Sequence, residues 1–255
     1  LETVQINAEP VCFTYPNHDK IDRITNEKIL DRPEYDFTTT DRDRHSFWKI
    51  DDVETVAKIT AYFSEIKSIY IADGHHRSAS SALLGKSLRK ADGNPSEEKA
   101  YDYFMGYFIP QNCLKIYEFN RLVTTIGDHS VTSFLEAIQD NFEIAYVDGS
   151  FFRPEKTHEI GMYIEGKWYC LIPKEGQFKV DDPVKSLDVS ILTNHLLSPI
   201  LRISDLKTDS RVYFKGGLEG IEALKAEVDR GKAKVAFAHY PVSMEQLKTI
   251  SDANQ

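Results

Sequence analysis

A basic excess is what this chain conspicuously lacks. Its 31 Lys and Arg are outnumbered by 40 Asp and Glu, a formal net charge of −9 at pH 7. A duplex DNA binder needs a basic face to displace counterions, so no duplex nucleic acid partner is expected. Long apolar runs are missing too. None reaches the length of a membrane span and no signal peptide is present, so no membrane partner is expected either. Cysteine is scarce. Cys12, Cys113 and Cys170 lie far apart and form no CxxC or Cys/His ligand word. That argues against a disulfide framework and fits a reducing, cytoplasmic location. Cys12 and Cys170 sit in apolar strand-like runs and are expected as small core residues. No repeat and no low-complexity tract is present. The chain opens on Leu1 rather than Met, so it reads as a fragment or a trimmed protein.

What is present is the composition of a folded protein. The 255 residues are 41% apolar and 11% aromatic, enough to bury a full core in one large domain or two small ones. In the first part, VQI (residues 4–6) and VCFTY (11–15) read as strands. Asp19 to Leu30 reads as a helix stopped by Pro33. Glu34 to Thr40 and Ser46 to Ile50 read as strands around a charged turn, and Asp52 as the cap of a helix through Phe63. Ser68 to Ala72 is a buried-strand pattern, and Tyr101 to Ile109 and Lys115 to Thr124 are further strands. Asn120 and Arg121 stand out in the last as polar residues in an apolar run. A soft boundary near Pro110 to Leu114 divides residues 1–112 from 113–255.

The second part reads as a helix around Val131 to Ile138 and strands at 142–147, 159–164 and 167–172. The last two are joined by Glu165-Gly166 as a hairpin. A helix over Ser186 to Leu197 stops at Pro199. After it come a strand at 212–214, a helix from Leu218 to Val228, a strand at 235–238 and a helix opened by Ser243. The order is mixed rather than a regular βαβ alternation, so the fold class is α+β.

Chemistry concentrates in Asp73-Gly74-His75-His76-Arg77. An apolar strand turns there through glycine into a helix whose Ala79, Ala82 and Leu83 share a face. Such a turn aims free N–H groups and the positive end of the helix dipole at whatever lies in front, which suits phosphate. Arg77 can grip phosphate through two parallel hydrogen bonds, and Asp73 can order a metal ion or take a proton. The plainer reading makes Asp73 a helix cap and the histidines surface residues; four capable side chains in five residues weigh against it. Adjacent histidines at a helix start point roughly 100° apart, so no structural zinc is expected.

Other groups have plainer readings. Glu34, Asp36, Asp41 and Asp43 lie within ten residues beside His45. They read as a general base or magnesium ligand on one side and a solvated loop on the other. Asn194 and His195, with Asp188 seven residues earlier on about the same face, form a possible second cluster with Arg121. A lone histidine among leucines is more often a hydrogen-bonded core residue. Asp205, Asp209 and Arg211 read equally as an ion-pair network or a site. Gly216-Gly217 is a weak anion cradle without Walker or GxGxxG spacing.

The words ADGHHR (72–77), RPEYDFTTTD (32–41), and LTNHLLSPIL, DLKTDSRVYFKGG and VAFAHYPVSMEQL between 192 and 247 resemble the bacterial family called domain of unknown function 1015. The resemblance runs from roughly Arg32 to the end. It implies a ParB/sulfiredoxin-like nucleotide-binding core in the first part, with a second mixed α+β part after it. Gly74, His76 and Arg77 fall where sulfiredoxins have the glycine, histidine and arginine of their GCHR word. His75 replaces the catalytic cysteine, so sulfiredoxin chemistry is not implied. The acidic DGH-type turn of free-serine kinases is matched better by Asp73 and His75. What the resemblance implies is a nucleotide-dependent phosphotransferase acting on a small hydroxyl metabolite, serine leading, with ATP or ADP and Mg as cofactors. Catalytic candidates are Asp73, Glu34, Asp36 and His75. Phosphate or nucleotide would be held by Gly74, His75, His76 and Arg77, with Mg at Asp73. A nucleotide-binding regulatory protein and a phosphatase of a phosphorylated metabolite remain alternatives. Family members usually carry a segment before the point where this chain starts and a lysine-rich word after its last helix.

Overall fold

The computed structural model describes Ile6 and residues 9–253 and is mixed α+β. The chain divides into two units, Leu1–Lys115 and Ile116–Gln255. Among the described residues no helix is long and apolar enough to cross a membrane.

In the first unit, Val11–Tyr15 (β1) is followed by Asp19–Lys28 (α1), which buries Ile21. The strand expected at 4–6 lies outside the described residues apart from Ile6. Tyr35–Thr38 (β2) pairs antiparallel with Arg44–Phe47 (β3). This second strand starts two residues before the expected Ser46, because Asp36 draws Arg44 and Ser46 across the ladder by hydrogen bonds. Val53–Ser64 (α2) begins where the Asp52 carboxylate accepts the Thr55 N–H at 2.8 Å, the cap that its sequence predicts. Tyr70–Asp73 (β4) leads into His75–Ala91 (α3). The aromatic run from Tyr101 becomes a strand only at Gly106–Pro110 (β5). Ala100–Asp102 forms a 3-10 turn instead, since Asp102 accepts from the Lys99 N–H and binds the Arg89 guanidinium.

The sheet order is β4-β1-β5, with β1 antiparallel to β4 and parallel to β5. Its core is a short aromatic chain. Phe13 stacks on Phe108 at 5.2 Å, Phe63 meets Phe108 edge-on, and Tyr15 lies 5.0 Å from Phe63.

The second unit is an antiparallel six-stranded sheet. Its strands in chain order are Phe119–Val123 (β6), Phe142–Val147 (β7), Ile160–Ile164 (β8), Lys167–Pro173 (β9), Val212–Gly216 (β10) and Val235–His239 (β11). They lie side by side as β10-β6-β11-β8-β9-β7. Glu165 and Gly166 both adopt positive φ, as the tight β8–β9 hairpin requires. Alternation along each strand builds two cores. One face carries Val123, Met162, Phe237 and Val235 and is covered by Val131–Ile138 (α4), Asp188–Leu192 (α5) and the residues that follow α5. The other carries Leu122, Tyr163, Trp168 and Ala236 under Gly220–Asp229 (α6). Met244–Asp252 (α7) opens on a reciprocal Ser243/Gln246 capping box.

The helix expected from Ser186 to Leu197 is α-helical only over α5 and widens over Thr193–Leu197 into a π turn, where the Ser198 N–H reaches the Thr193 carbonyl. Pro199 has no N–H to offer the carbonyl of His195, four residues back. The Asn141 side-chain amide donates to that carbonyl instead, at 2.9 Å.

Candidate functional site

The Asp73–Arg77 segment is a strand-to-helix turn. Asp73 ends β4 opposite Cys12 of β1, and Gly74 is the N-terminal boundary residue of α3 at φ 97°. Glycine is needed there twice. L-residues resist that φ, and a Cβ would lie 2.9 Å from Nη2 and 3.0 Å from Nε of Arg77. Gly74 rather than Asp73 holds the cap position, no acidic residue stands in the first turn, and among the described residues no side chain caps the helix. The first-turn amides therefore meet neither an intrahelical acceptor nor a carboxylate cap.

Arg77 folds back over the glycine. Its Nη2 donates to Asp73 Oδ2 at 2.8 Å and its Nη1 to Glu9 Oε2, while Nε is buried without a partner. Glu9 lies 68 residues away in sequence and carried no signal beyond its place before Pro10. His75 and His76 are exposed beside the turn. One guanidinium thus faces two carboxylates, an arrangement an incoming phosphate can enter by replacing either one.

The hairpin carboxylates differ. Asp36 forms a two-pronged pair with Arg44, at 2.8 and 2.6 Å, and accepts from Ser46. The Arg44 hydrogen bonds hold its carboxyl down at about 2. Glu34 is exposed, its backbone N–H bonded to the Phe47 carbonyl. Among the described residues no hydrogen bond or ion pair joins either carboxylate to the 73–77 turn.

In the second unit the structure redistributes the polar residues. Asp188 faces His158 instead of sharing a helix face with His195: Oδ1 accepts the His158 backbone N–H at 2.9 Å and meets Nδ1 at 3.0 Å. Burial pushes the Asp188 carboxyl up, against the pull of His158. Asn194 is exposed and His195 half-buried, and no described contact links either to Arg121. Arg121 is buried on the interior strand β6, near His239 of β11.

Arg211 is saturated by Asp209 and the Leu201 and Arg202 carbonyls, so that cluster pins a loop. The Gly216-Gly217 pair is no anion cradle. The Glu118 carboxylate occupies the space over Gly217, and Glu222 the space over Gly220. Among the described residues no group of three or more His, Cys, Asp or Glu is placed to hold a metal ion.

Residues 1–190 match the family described as Protein of unknown function (DUF1015). The matched range starts before Arg32 and stops short of the words between 192 and 247. No curated protein matches the chain. Among solved structures it is similar to a free serine kinase mutant in complex with AMP, at 10% identity and a TM-score of 0.38, covering 98% of this chain and 86% of that one. A second free serine kinase mutant with AMP gives 9% and 0.39 over the same shares. A conserved hypothetical protein from Pyrococcus furiosus gives 14% and 0.39, over 98% and 89%. Scores this low decide nothing about the site.

Proposed function

The chain belongs to the DUF1015 family, and we propose that it binds a nucleotide phosphate at the Asp73–Arg77 turn and transfers a phosphoryl group to a small hydroxyl-bearing metabolite. In this reading the first part is a ParB/sulfiredoxin-like core, and serine is the leading acceptor through the resemblance of the turn to that of free-serine kinases. One observation carries it: an uncapped helix start on a left-handed glycine, with the Arg77 guanidinium folded over it and its Nε buried and unpaired.

The amides of His75 to Arg77 would cradle phosphate oxygens, with Arg77 as the charged clamp and His76 at the rim. Asp73 would take the acceptor's hydroxyl proton on Oδ1, since Oδ2 is engaged by Arg77. Glu34, Asp36 and His75 remain the other acid–base candidates, with Asp36 the poorest base because Arg44 holds it ionised. ATP or ADP with Mg would supply the phosphoryl group and charge neutralisation. The side chains fit the phosphates; Asp73 would hold Mg where Glu34 takes the proton instead.

A second reading is favoured by Glu9. Phosphate binding to Arg77 would release the Glu9 carboxylate, and such an exchange is how a nucleotide-gated regulatory binder would signal without turnover.

Calorimetric nucleotide binding and acceptor-dependent turnover test both. Arg77→Ala should raise the nucleotide dissociation constant about tenfold or more, the loss of a charge-assisted contact. Asp73→Asn should lower turnover about a hundredfold or more, with little change in nucleotide affinity measured without Mg. Nucleotide binding without turnover across a broad metabolite panel would replace the kinase with the binder. Unchanged affinity in Arg77→Ala would remove the anchor of both.

A further inference from the structure

The second unit contains a guanidinium that has no counter-ion among the described residues. Arg121 is 7% exposed on β6, an interior strand next to the edge of the sheet. Its Nη1 donates to the Phe119 carbonyl at 3.2 Å, its Nε is buried without a partner, and among the described residues no carboxylate pairs with it. Other buried or half-buried arginines of this chain are treated differently. Arg211 has Asp209 and two carbonyls, and Arg89 has Asp102. A buried cation without a partner is costly, and burial pulls Arg121 down only to about 10, so it stays charged at neutral pH.

His239 lies beside it. The antiparallel register sets Phe237 opposite Arg121, so His239, two residues on, is the diagonal neighbour of Arg121 on the same sheet face. It is 2% exposed, and neither ring nitrogen has a partner. Its backbone is held by Asn120, whose Oδ1 accepts the His239 N–H at 3.0 Å. Two buried groups thus present unpaired N–H donors at one end of the sheet. At the rim, Phe119 and Phe214 stack at 5.0 Å, and the Phe214 ring lies 5.6 Å from the Arg121 carbon. Phe119 is 54% exposed, so the rim meets solvent.

We propose that Arg121 and His239 form an oxyanion site in the second unit that takes the carboxylate or phosphate of a small metabolite. A guanidinium offers two parallel N–H donors to either group, and a neutral imidazole adds a third donor without adding charge. The stacked rings at the rim suit an apolar body behind the anionic head.

The test is thermal stability and calorimetry of the whole chain with two probes, inorganic phosphate and succinate, at ionic strength matched with sodium chloride. Wild type should show saturable stabilisation by at least one probe. With the turn's clamp removed by Arg77→Met, a saturable response should persist, and adding Arg121→Met should weaken it at least about tenfold. Which probe acts distinguishes phosphate from carboxylate. Because Arg121→Met can affect folding, Arg121→Lys is the second variant: it keeps the charge, loses the fork, and should also bind about tenfold more weakly. The His239 ring 15N shifts should move with the same saturation curve in wild type and in Arg77→Met. No saturable response in wild type, or one that both Arg121 variants leave unchanged in the Arg77→Met background, overturns the site. A response lost in Arg77→Met alone assigns the binding to the turn and overturns it equally.

Discussion

At the scale of single residues, His239 leaves a signature in acid. Burial first, and the Arg121 charge second, hold its imidazole well below the ordinary range. The unfolded chain binds a proton below about pH 6.5 that the folded chain refuses. Stability is therefore undiminished above that pH and falls as pH drops below it, by up to about 1.4 kcal/mol per pH unit. His239→Gln should flatten that slope in urea titrations at pH 4.5–7. Asp209 acts in a lower window. Its Arg211 hydrogen bonds depress it to about 2, so its contribution is present above about pH 4 and is lost as pH falls towards 2. Asp209→Asn should leave the upper slope alone and remove only the acid limb. Gly74→Ala tests the turn. A left-handed alanine costs about 1–2 kcal/mol, and the crowded Arg77 adds to it, so the urea midpoint should drop and phosphate binding weaken with it.

At the scale of elements, Gly85 in α3 decides between two opposing effects. Glycine to alanine inside a helix ordinarily gains about 1 kcal/mol. Here the new Cβ would sit 2.5 Å from the Tyr101 carbonyl oxygen, a backbone atom of the 3-10 turn that α3 packs against. The clash should win, and Gly85→Ala should destabilise by about 1–3 kcal/mol in chemical denaturation. Ser87→Ala, exposed on the same helix, should be neutral or slightly stabilising. A stabilised Gly85→Ala would show that the turn can retreat. The expected strand at Tyr101 to Ile109 teaches the same point. Its aromatic alternation is genuine, yet local hydrogen bonds to Asp102 claim the first residues before the ladder can.

At the scale of the molecule, the two units are unequally filled. In the first, α2 has no buried residue and α3 buries only Gly85. In the second, β8 and β11 are buried along their whole length between two helix-covered cores. Protection from hydrogen exchange should follow the filling. Amides of 160–164 and 235–239 should exchange last, by global opening, and those of 11–15 and 70–73 earlier. Identical exchange free energies in both sets would mean one cooperative block, against this expectation.

Local chemistry made much of this chain legible from its letters. The helix starts at Asp52 and Ser243, the Glu165-Gly166 hairpin, and the strand–glycine–helix course of residues 70–77 each depend on neighbours within a few positions. The backbone obeys such signals wherever they stand. The partners of the charged groups were not legible. Glu9 meets Arg77 across 68 residues, Asp188 meets His158 across 30, and Asn120 holds His239 across 119. Strand register and sheet order decide those meetings, and both follow from the packing of whole faces rather than from any local word. The sequence alone therefore determined where the strand–glycine–helix turn would form. Only the tertiary structure decided that Arg77 would be held by two carboxylates and Arg121, among the described residues, by none.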